Sequence, residues 1–146
     1  MTDQCLFCRI AAHESPAHVL YEDELLMAFL VLCPVRPGHT LIIPRQHFDY
    51  FDDLPEGVIT PILRLGQELA VAMKALYRVP RVGFLFTGGD LPHAHAHVVP
   101  LHEKEDITSQ HYIVERDLTF REAPRMPDPE LAAVARDLVR ALGQQS

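Results

Sequence analysis

Apolar and polar positions change rhythm several times along the chain, and each rhythm predicts a different element. Ala17–Glu22 and Glu24–Val31, in the stretch AHVLYEDELLMAFLV, are β-favouring runs interrupted at Glu22-Asp23, which predicts two short strands joined as a hairpin. Cys33-Pro-Val-Arg-Pro-Gly-His39 follows. Two prolines and a glycine cannot extend a central strand or a helix, so this is a shaped loop. Thr40–Ile43 is a short apolar strand closed by Pro44, with His47 just beyond it; His39 and His47 therefore bracket one strand. From Pro55 to Tyr77 the period changes. Ile62, Leu65, Leu69, Met73 and Leu76 recur at helical steps and make one stripe facing a sheet. Thr60-Pro61 marks either the start of this helix or a kink in a longer one, and Gly66 weakens it slightly. Arg81–Thr87 is a further strand, and Gly88-Gly89-Asp90 is the turn into its antiparallel neighbour. His102–Gln110 reads as loop, His111–Glu115 as a short strand, and Arg121–Pro127 carries turn residues. Asp128-Pro129 has the form of an N-cap followed by proline at the first helical position, and Leu131, Val134, Leu138 and Leu142 make the stripe of a terminal helix ending at Gly143.

The most unusual alternation is in Leu91–Pro100, LPHAHAHVVP. On a strand, residues two apart share a face, so His93, His95 and His97 are expected on one side and Ala94, Ala96 and Val98 on the other. Each imidazole needs a donor and an acceptor satisfied and titrates near neutral pH, so three in a row are costly to keep on a core strand without a use. A metal site and a catalytic row both fit. A pH-sensing surface fits poorly with an apolar opposite face. Satisfied polar residues would explain one histidine better than three in register. Spacing alone leaves metal binding and catalysis open.

Composition narrows the setting. A chain of 146 residues is one domain of ordinary size, able to bury about two-thirds of its unfolded surface. Its 48 % hydrophobic content is globular, no apolar run reaches the ~18 residues of a membrane span, and MTDQCLFCRI lacks the basic and apolar regions of a signal peptide. A cytoplasmic protein with no membrane partner is expected. The net charge of −7 argues against a nucleic-acid partner and still permits a cationic pocket for a small phosphate ester. Three cysteines do not make a disulfide framework. Cys5-Leu-Phe-Cys8 is a redox pair, half of a zinc site, or two small core residues. Redox fits least, because the pair does not lie between a strand and a helix of a βαβ unit, and zinc needs two further ligands.

From Cys5 to Pro100 the chain resembles the histidine-triad (HIT) family. HAHAHVV matches the family signature HxHxHxx, and CLFCRI, YEDELLMAFL and PVRPGHTLIIPRQH are similar to its landmarks in the same order. The resemblance implies an α+β fold, an antiparallel sheet of about five strands with a packed main helix, plus a C-terminal helix here. A HIT-like domain is expected at residues 1–101; residues 102–146 lie outside the resemblance and are expected as an extension with the terminal helix, packed on the same domain. The resemblance also implies a homodimer with continuous sheets, and hydrolysis or transfer at the α-phosphorus of a small nucleotide-like substrate. His95, the middle histidine of the motif, takes the place of the nucleophile that carries a transient nucleotidyl group, with His97 and His39 completing the catalytic set. In a subset of the family, and in related hexose-1-phosphate uridylyltransferases, an N-terminal CxxC, a histidine after the PxxH segment and the first triad histidine bind a structural zinc. The matching positions are Cys5, Cys8, His47 and His93, a sound tetrahedral set. No metal is required for the phosphoryl step.

The chain departs from the family pattern at the substrate positions. Val31, followed by Leu32, stands where many members carry an Asp or Asn for the ribose hydroxyls; valine accepts no hydrogen bond, and a hydrophobic contact discriminates weakly. Gly89 and Asp90 stand where a glutamine and a hydroxyl residue usually contact the phosphate and leaving group, and Leu101 replaces a common arginine. An ionised Asp90 would repel a phosphate or act on an amine leaving group. Two functions are compatible with this sequence: a nucleotide phosphoester or phosphoramidate hydrolase or transferase working through His95, and a zinc-braced phosphate- or nucleotide-binding module with little turnover that works through protein interactions.

Overall fold

The computed structural model describes residues 4–89, 91–104, 106–107 and 123–144. In order it forms a short helix α1 (Leu6–Ala11), strands β1 (Val19–Glu22), β2 (Leu26–Leu30) and β3 (Thr40–Pro44), a single 3-10 turn at Phe51–Asp53, helix α2 (Glu56–Tyr77), strands β4 (Arg81–Phe86) and β5 (Ala96–Leu101), and helix α3 (Asp128–Gly143). The expected strand at His111–Glu115, Asp90 and the predicted loop beyond residue 107 lie outside the described residues. The strands form one antiparallel sheet in the order β1-β2-β3-β5-β4, so the architecture is α+β with five strands. No helix among the described residues is long and apolar enough to cross a membrane.

Both faces of the sheet centre are covered, which explains why β2 and β3 read as apolar runs instead of alternating. Leu26, Ala28, Leu30, Ile42, Ala96 and Val98 face α2 and α3, meeting Ile62, Leu65, Leu69, Met73, Leu131 and Leu138. Met27, Phe29, Leu41 and Ile43 face α1, meeting Cys5, Phe7, Ile10 and Ala11. The helical stripe predicted for α2 is therefore its buried face. Gly66 stands where a β-carbon would come 2.5 Å from the ring of Phe84; its helix-weakening cost is offset by close packing of α2 on β4. The β1–β2 turn is held by Asp23, whose Oδ1 accepts the Leu25 and Leu26 amides at 2.8 Å each. Arg45 reaches back to the carbonyls of Asp23 and Ala11 at 2.9 and 2.8 Å, tying the end of β3 to this turn and to α1.

Two sequence expectations change. Only His97 of the histidine row lies in β5, because the strand begins at Ala96. Pro92 cannot extend a ladder, and the amides of His93 and Ala94 are used by Leu91 and Phe48 carbonyls at 2.8 and 2.7 Å. Of the two alternatives at Thr60-Pro61, the longer helix is the one found: Pro61 falls inside a helix that begins at Glu56. Asp128 is the first residue of α3 and makes no cap hydrogen bond, with Pro127 at the N-cap. Its carboxylate is taken by Arg125 at 3.1 Å and His18 at 3.2 Å.

The loop before β3 depends on one glycine. Gly38 has φ +98°, and a β-carbon there would lie 2.7 Å from Cε2 and 2.8 Å from the hydroxyl of Tyr77. Strain and overlap act together, so Gly38→Ala should lower stability by about 2–4 kcal/mol, measured as the urea unfolding midpoint at an unchanged m-value. A midpoint equal to that of the wild type would show that the loop can relax at no cost.

Candidate functional site

Cys5 occupies the N-cap of α1, where its sulfur accepts the Cys8 amide at 3.5 Å. The helix thereby brings both thiols toward the 93–95 segment. Cys5 Sγ lies 3.3 Å from His93 Nδ1, and Cys8 Sγ lies 3.2 Å from His47 Nδ1 and 3.5 Å from His93 Nδ1. The ligand atoms of all four residues lie within 4.8 Å of one another. Bonds of 2.3 Å to sulfur and 2.0 Å to nitrogen would give tetrahedral S···N edges of about 3.5 Å, so the spacing fits a closed zinc-type site.

The outer hydrogen bonds agree with that fit. His93 Nε2 donates to the Pro44 carbonyl at 2.9 Å, and His47 Nε2 donates to Asp49 at 2.8 Å. A carbonyl or carboxylate can only accept, so each ring carries its proton on Nε2 and turns a lone pair at Nδ1 toward the sulfurs. His93 is fully buried. Burial, with smaller repulsion from His47 and His95, pushes its pKa down despite the Pro44 hydrogen bond, which keeps the ring neutral as a ligand must be. Burial and the neighbouring Cys5 push the Cys8 thiol up to about 11. A cation shared between the two sulfurs reverses that preference, because it stabilises the thiolates directly.

The same reasoning assigns the remaining histidines. His95, 3 % exposed, has Nδ1 2.8 Å from the carbonyl of His93; Nδ1 must donate, so in the neutral ring the lone pair is on Nε2. His39 Nδ1 accepts the Val35 amide at 3.2 Å, which leaves its Nε2–H to donate to His97 Nδ1 at 2.9 Å. His97 in turn carries its proton on Nε2. Burial, with a smaller contribution from His97, lowers the His39 pKa to about 4. The rings of His95 and His97 are 5.1 Å apart. The structure thus brings the predicted catalytic set His39, His95 and His97 together, and it separates His93 from them functionally by turning its free nitrogen to the cysteines.

Two cavities flank this row. One, of about 140 Å³, is lined by His95, Ala94, Gly88, Thr87 and Phe86, with Asp49, Tyr50, Phe51 and Asp52 opposite. The other, of about 320 Å³, is lined by His39, His97, Val35, Leu85, Val99 and Asp106 among others. Its wall is held by Arg36, whose Nε and Nη2 reach Asp106 Oδ1 at 3.0 and 2.8 Å, while Asp106 Oδ2 accepts the amides of His102 and Glu103. Arg36 is the first cause that brings the Asp106 pKa down to about 2.

The residues expected to contact substrate are placed less directly. Val31 packs at the margin of the α1-facing cluster and donates its amide to the His39 carbonyl at 2.9 Å. Leu32 is 43 % exposed, and its carbonyl accepts the Met126 amide at 2.8 Å, so the segment before α3 runs beside it. Gly89 is exposed. None of the three lines either cavity, and Asp90 lies outside the described residues. Sequence reasoning missed Asp49, Tyr50, Phe51 and Asp106. The aromatic pair beside two acids in FDYFDD was the available signal for the first three; nothing local marks Asp106.

Residues 12–104 match the family model described as the HIT domain. Among curated relatives, an uncharacterized HIT-like protein of Methanocaldococcus jannaschii is 33 % identical over 103 residues, 68 % of this chain and 80 % of that protein. An adenosine 5′-monophosphoramidase of Saccharomyces cerevisiae is 32 % identical over 102 residues, 69 % of this chain and 65 % of the yeast protein. A solved structure of a zinc-bound histidine triad family protein from Mycobacterium smegmatis superposes with a TM-score of 0.77 at 28 % identity, covering 99 % of this chain and 97 % of that one. Family model, relatives, fold and the gathered histidines agree, and the chain belongs to the HIT family.

Proposed function

We propose that the protein is a nucleotide hydrolase or transferase that acts on a phosphoester or phosphoramidate at the α-phosphorus, through a nucleotidyl intermediate on His95. The observation that carries this reading is the hydrogen bond from His95 Nδ1 to the His93 carbonyl, which leaves Nε2 as the nucleophilic nitrogen without any need for a base to remove a proton. Nε2 attacks phosphorus, the phosphorus–leaving-group bond breaks, and the leaving group departs with the bonding pair and takes up a proton. Water or an acceptor alcohol then attacks the same phosphorus and releases its proton to solvent, the phosphorus–nitrogen bond breaks, and the electron pair returns to Nε2. His97, with its proton on Nε2, donates to a phosphoryl oxygen or to the leaving group as charge develops. His39 holds His97 in that tautomer and is kept neutral by burial. The activity of the yeast relative supports a phosphoramidate as the first substrate to try.

Zinc at Cys5, Cys8, His47 and His93 belongs to the same proposal, supported by the spacing of the four ligand atoms and by the zinc-bound mycobacterial structure. When bound it supplies a cross-link between α1 and the segment that carries His95. A homodimer, carried over from the family resemblance, and a cytoplasmic location, expected from the N-terminal sequence and the cysteine usage, are part of this reading.

Wild-type protein should release ammonia from adenosine 5′-phosphoramidate, with His95→Ala slower by at least on the order of a thousandfold. Dinucleoside polyphosphates serve as the second substrate class. Absence of wild-type turnover on both, or equal turnover by the variant, would favour the binding module instead. Metal analysis should find about one zinc per chain, lost in Cys5→Ser and in His93→Ala; zinc retained by His93→Ala would remove His93 from the ligand set.

Stability should also respond to pH through His39. Its native pKa of about 4 lies below the ordinary 6.5, so between these values the unfolded chain binds the proton first. The contribution is complete above pH 6.5 and is lost as the pH falls through about 4, by at most on the order of 3 kcal/mol. Urea midpoints at pH 7 and 4.5 should fall further for the wild type than for His39→Gln. Equal falls would mean that burial does not hold the ring neutral.

A further inference from the structure

The CxxC motif encloses two residues, and one of them touches the site. Phe7 is buried in α1 between the two thiols. Its ring centroid lies 5.2 Å from that of His95 at an interplanar angle of 79°, and 5.8 Å from His93 at 80°. Behind it stands Phe29 of β2, at 5.6 Å and 67°. Perpendicular packing at these distances is a favourable aromatic geometry, and Phe7 is thus wedged between the sheet and two imidazoles.

We infer that Phe7 is a positioning residue for His95, and that the group formed by Cys5, Cys8, His47 and His93 acts on the reaction through it. This rests on the assignment of His95 as nucleophile. The hydrogen bond to the His93 carbonyl fixes one ring nitrogen of His95, but a half-turn about the Cβ–Cγ bond would break it and exchange the nitrogen edge for carbon. Two ring walls oppose that turn: His97 at 5.1 Å and Phe7 at 5.2 Å. His97 is held in β5 by its pairing with β3 and β4. Phe7 comes from α1 and supplies the second wall.

That wall needs an anchor of its own. Helix α1 has six residues, too few to hold its shape by backbone hydrogen bonds alone. Sulfur–imidazole contacts at both ends of Cys5-Leu-Phe-Cys8 place the phenyl ring, and the Arg45 contact to the Ala11 carbonyl secures the far end of the helix. Leu6, the other enclosed residue, is 47 % exposed and turns to solvent. The spacing of the two cysteines therefore serves two ends at once: it gathers ligands, and it directs one residue inward onto the nucleophile.

The test compares Phe7→Leu and Phe7→Met, which keep an apolar filling but remove the ring, with Val19→Ala, a deletion packed on the same cluster in edge strand β1, which does not pair with β5. With adenosine 5′-phosphoramidate, kcat should fall about tenfold in both Phe7 variants with KM within about twofold, whereas Val19→Ala keeps the wild-type kcat. The ¹⁵N–¹H correlation spectrum of the histidine side chains should show His95 as a single Nδ1–H tautomer in the wild type and as an averaged mixture in the Phe7 variants. Zinc content should stay at the wild-type level. Unchanged His95 signals, a kcat loss no larger than that of Val19→Ala, or a loss that only follows zinc release would overturn the inference. If the wild type shows no turnover, the assigned reaction fails, and the spectra alone still decide whether Phe7 orders the ring.

Discussion

A neutral imidazole presents one lone pair, and the hydrogen bond at its other nitrogen decides which one. Five histidines at this site obey that constraint through fixed partners: Pro44 O for His93, Asp49 for His47, His93 O for His95, the Val35 amide for His39, and His39 for His97. Three of the five partners are backbone groups. The chemistry of the row is therefore set by where the main chain runs, above all by the 93–95 segment leaving the ladder before β5. Had the strand continued back to His93, the row would have been three similar rings on one face. Its departure lets neighbouring histidines point their free nitrogens at different things.

Held this way, the site needs the backbone segments themselves to stay in place, and each is tied by a different kind of contact. The 93–95 segment is joined to the loop after β3 by the Ala94–Phe48 backbone hydrogen bond and to α1 by the cysteines. The loop from Cys33 to His39 is tied by Arg36 to Asp106, which also collects two amides. Arg36 is substantially exposed, so this pair contributes about 1 kcal/mol or less to stability. Its geometric role is larger than its energetic one, since the same loop supplies the amide that fixes the tautomer of His39. Gly38 turns the chain between those two contacts with a positive φ.

Much of this was legible in the residues. Periodicity located α2 and α3, β-favouring runs located β1 to β4, and prolines closed the elements near their observed ends. The family resemblance named four metal-holding positions that the structure gathers within 4.8 Å. Local pattern failed where a long-range contact overrode it. HAHAH has the alternation of a strand, but Phe48 and Leu91 take its amides; Asp128 has the form of an N-cap, but Arg125 and His18 hold its carboxylate. Phe7 could not be recognised as part of the site, because a phenylalanine in a short apolar helix is expected in any core, and only the fold shows that one side of this core is made of imidazoles.

The departure at Val31 bears on where selectivity can reside. Its side chain carries no polar atom and lies at the margin of an apolar cluster, so it offers no hydrogen-bond acceptor to a sugar hydroxyl. A contact of that kind separates substrates weakly, whereas loss of a buried hydrogen-bond partner separates them by orders of magnitude. On the proposed reaction, discrimination therefore shifts away from the sugar and toward the groups around the reacting phosphorus. There the cavity beside His95 combines three aromatic rings with Asp49 and Asp52. Asp49 is doubly committed, because the carboxylate that lines this cavity also orients His47, one of the four residues proposed to hold zinc. A substrate that drew Asp49 away would loosen the ligand set, so the same carboxylate limits how strongly this cavity can engage a positively charged group.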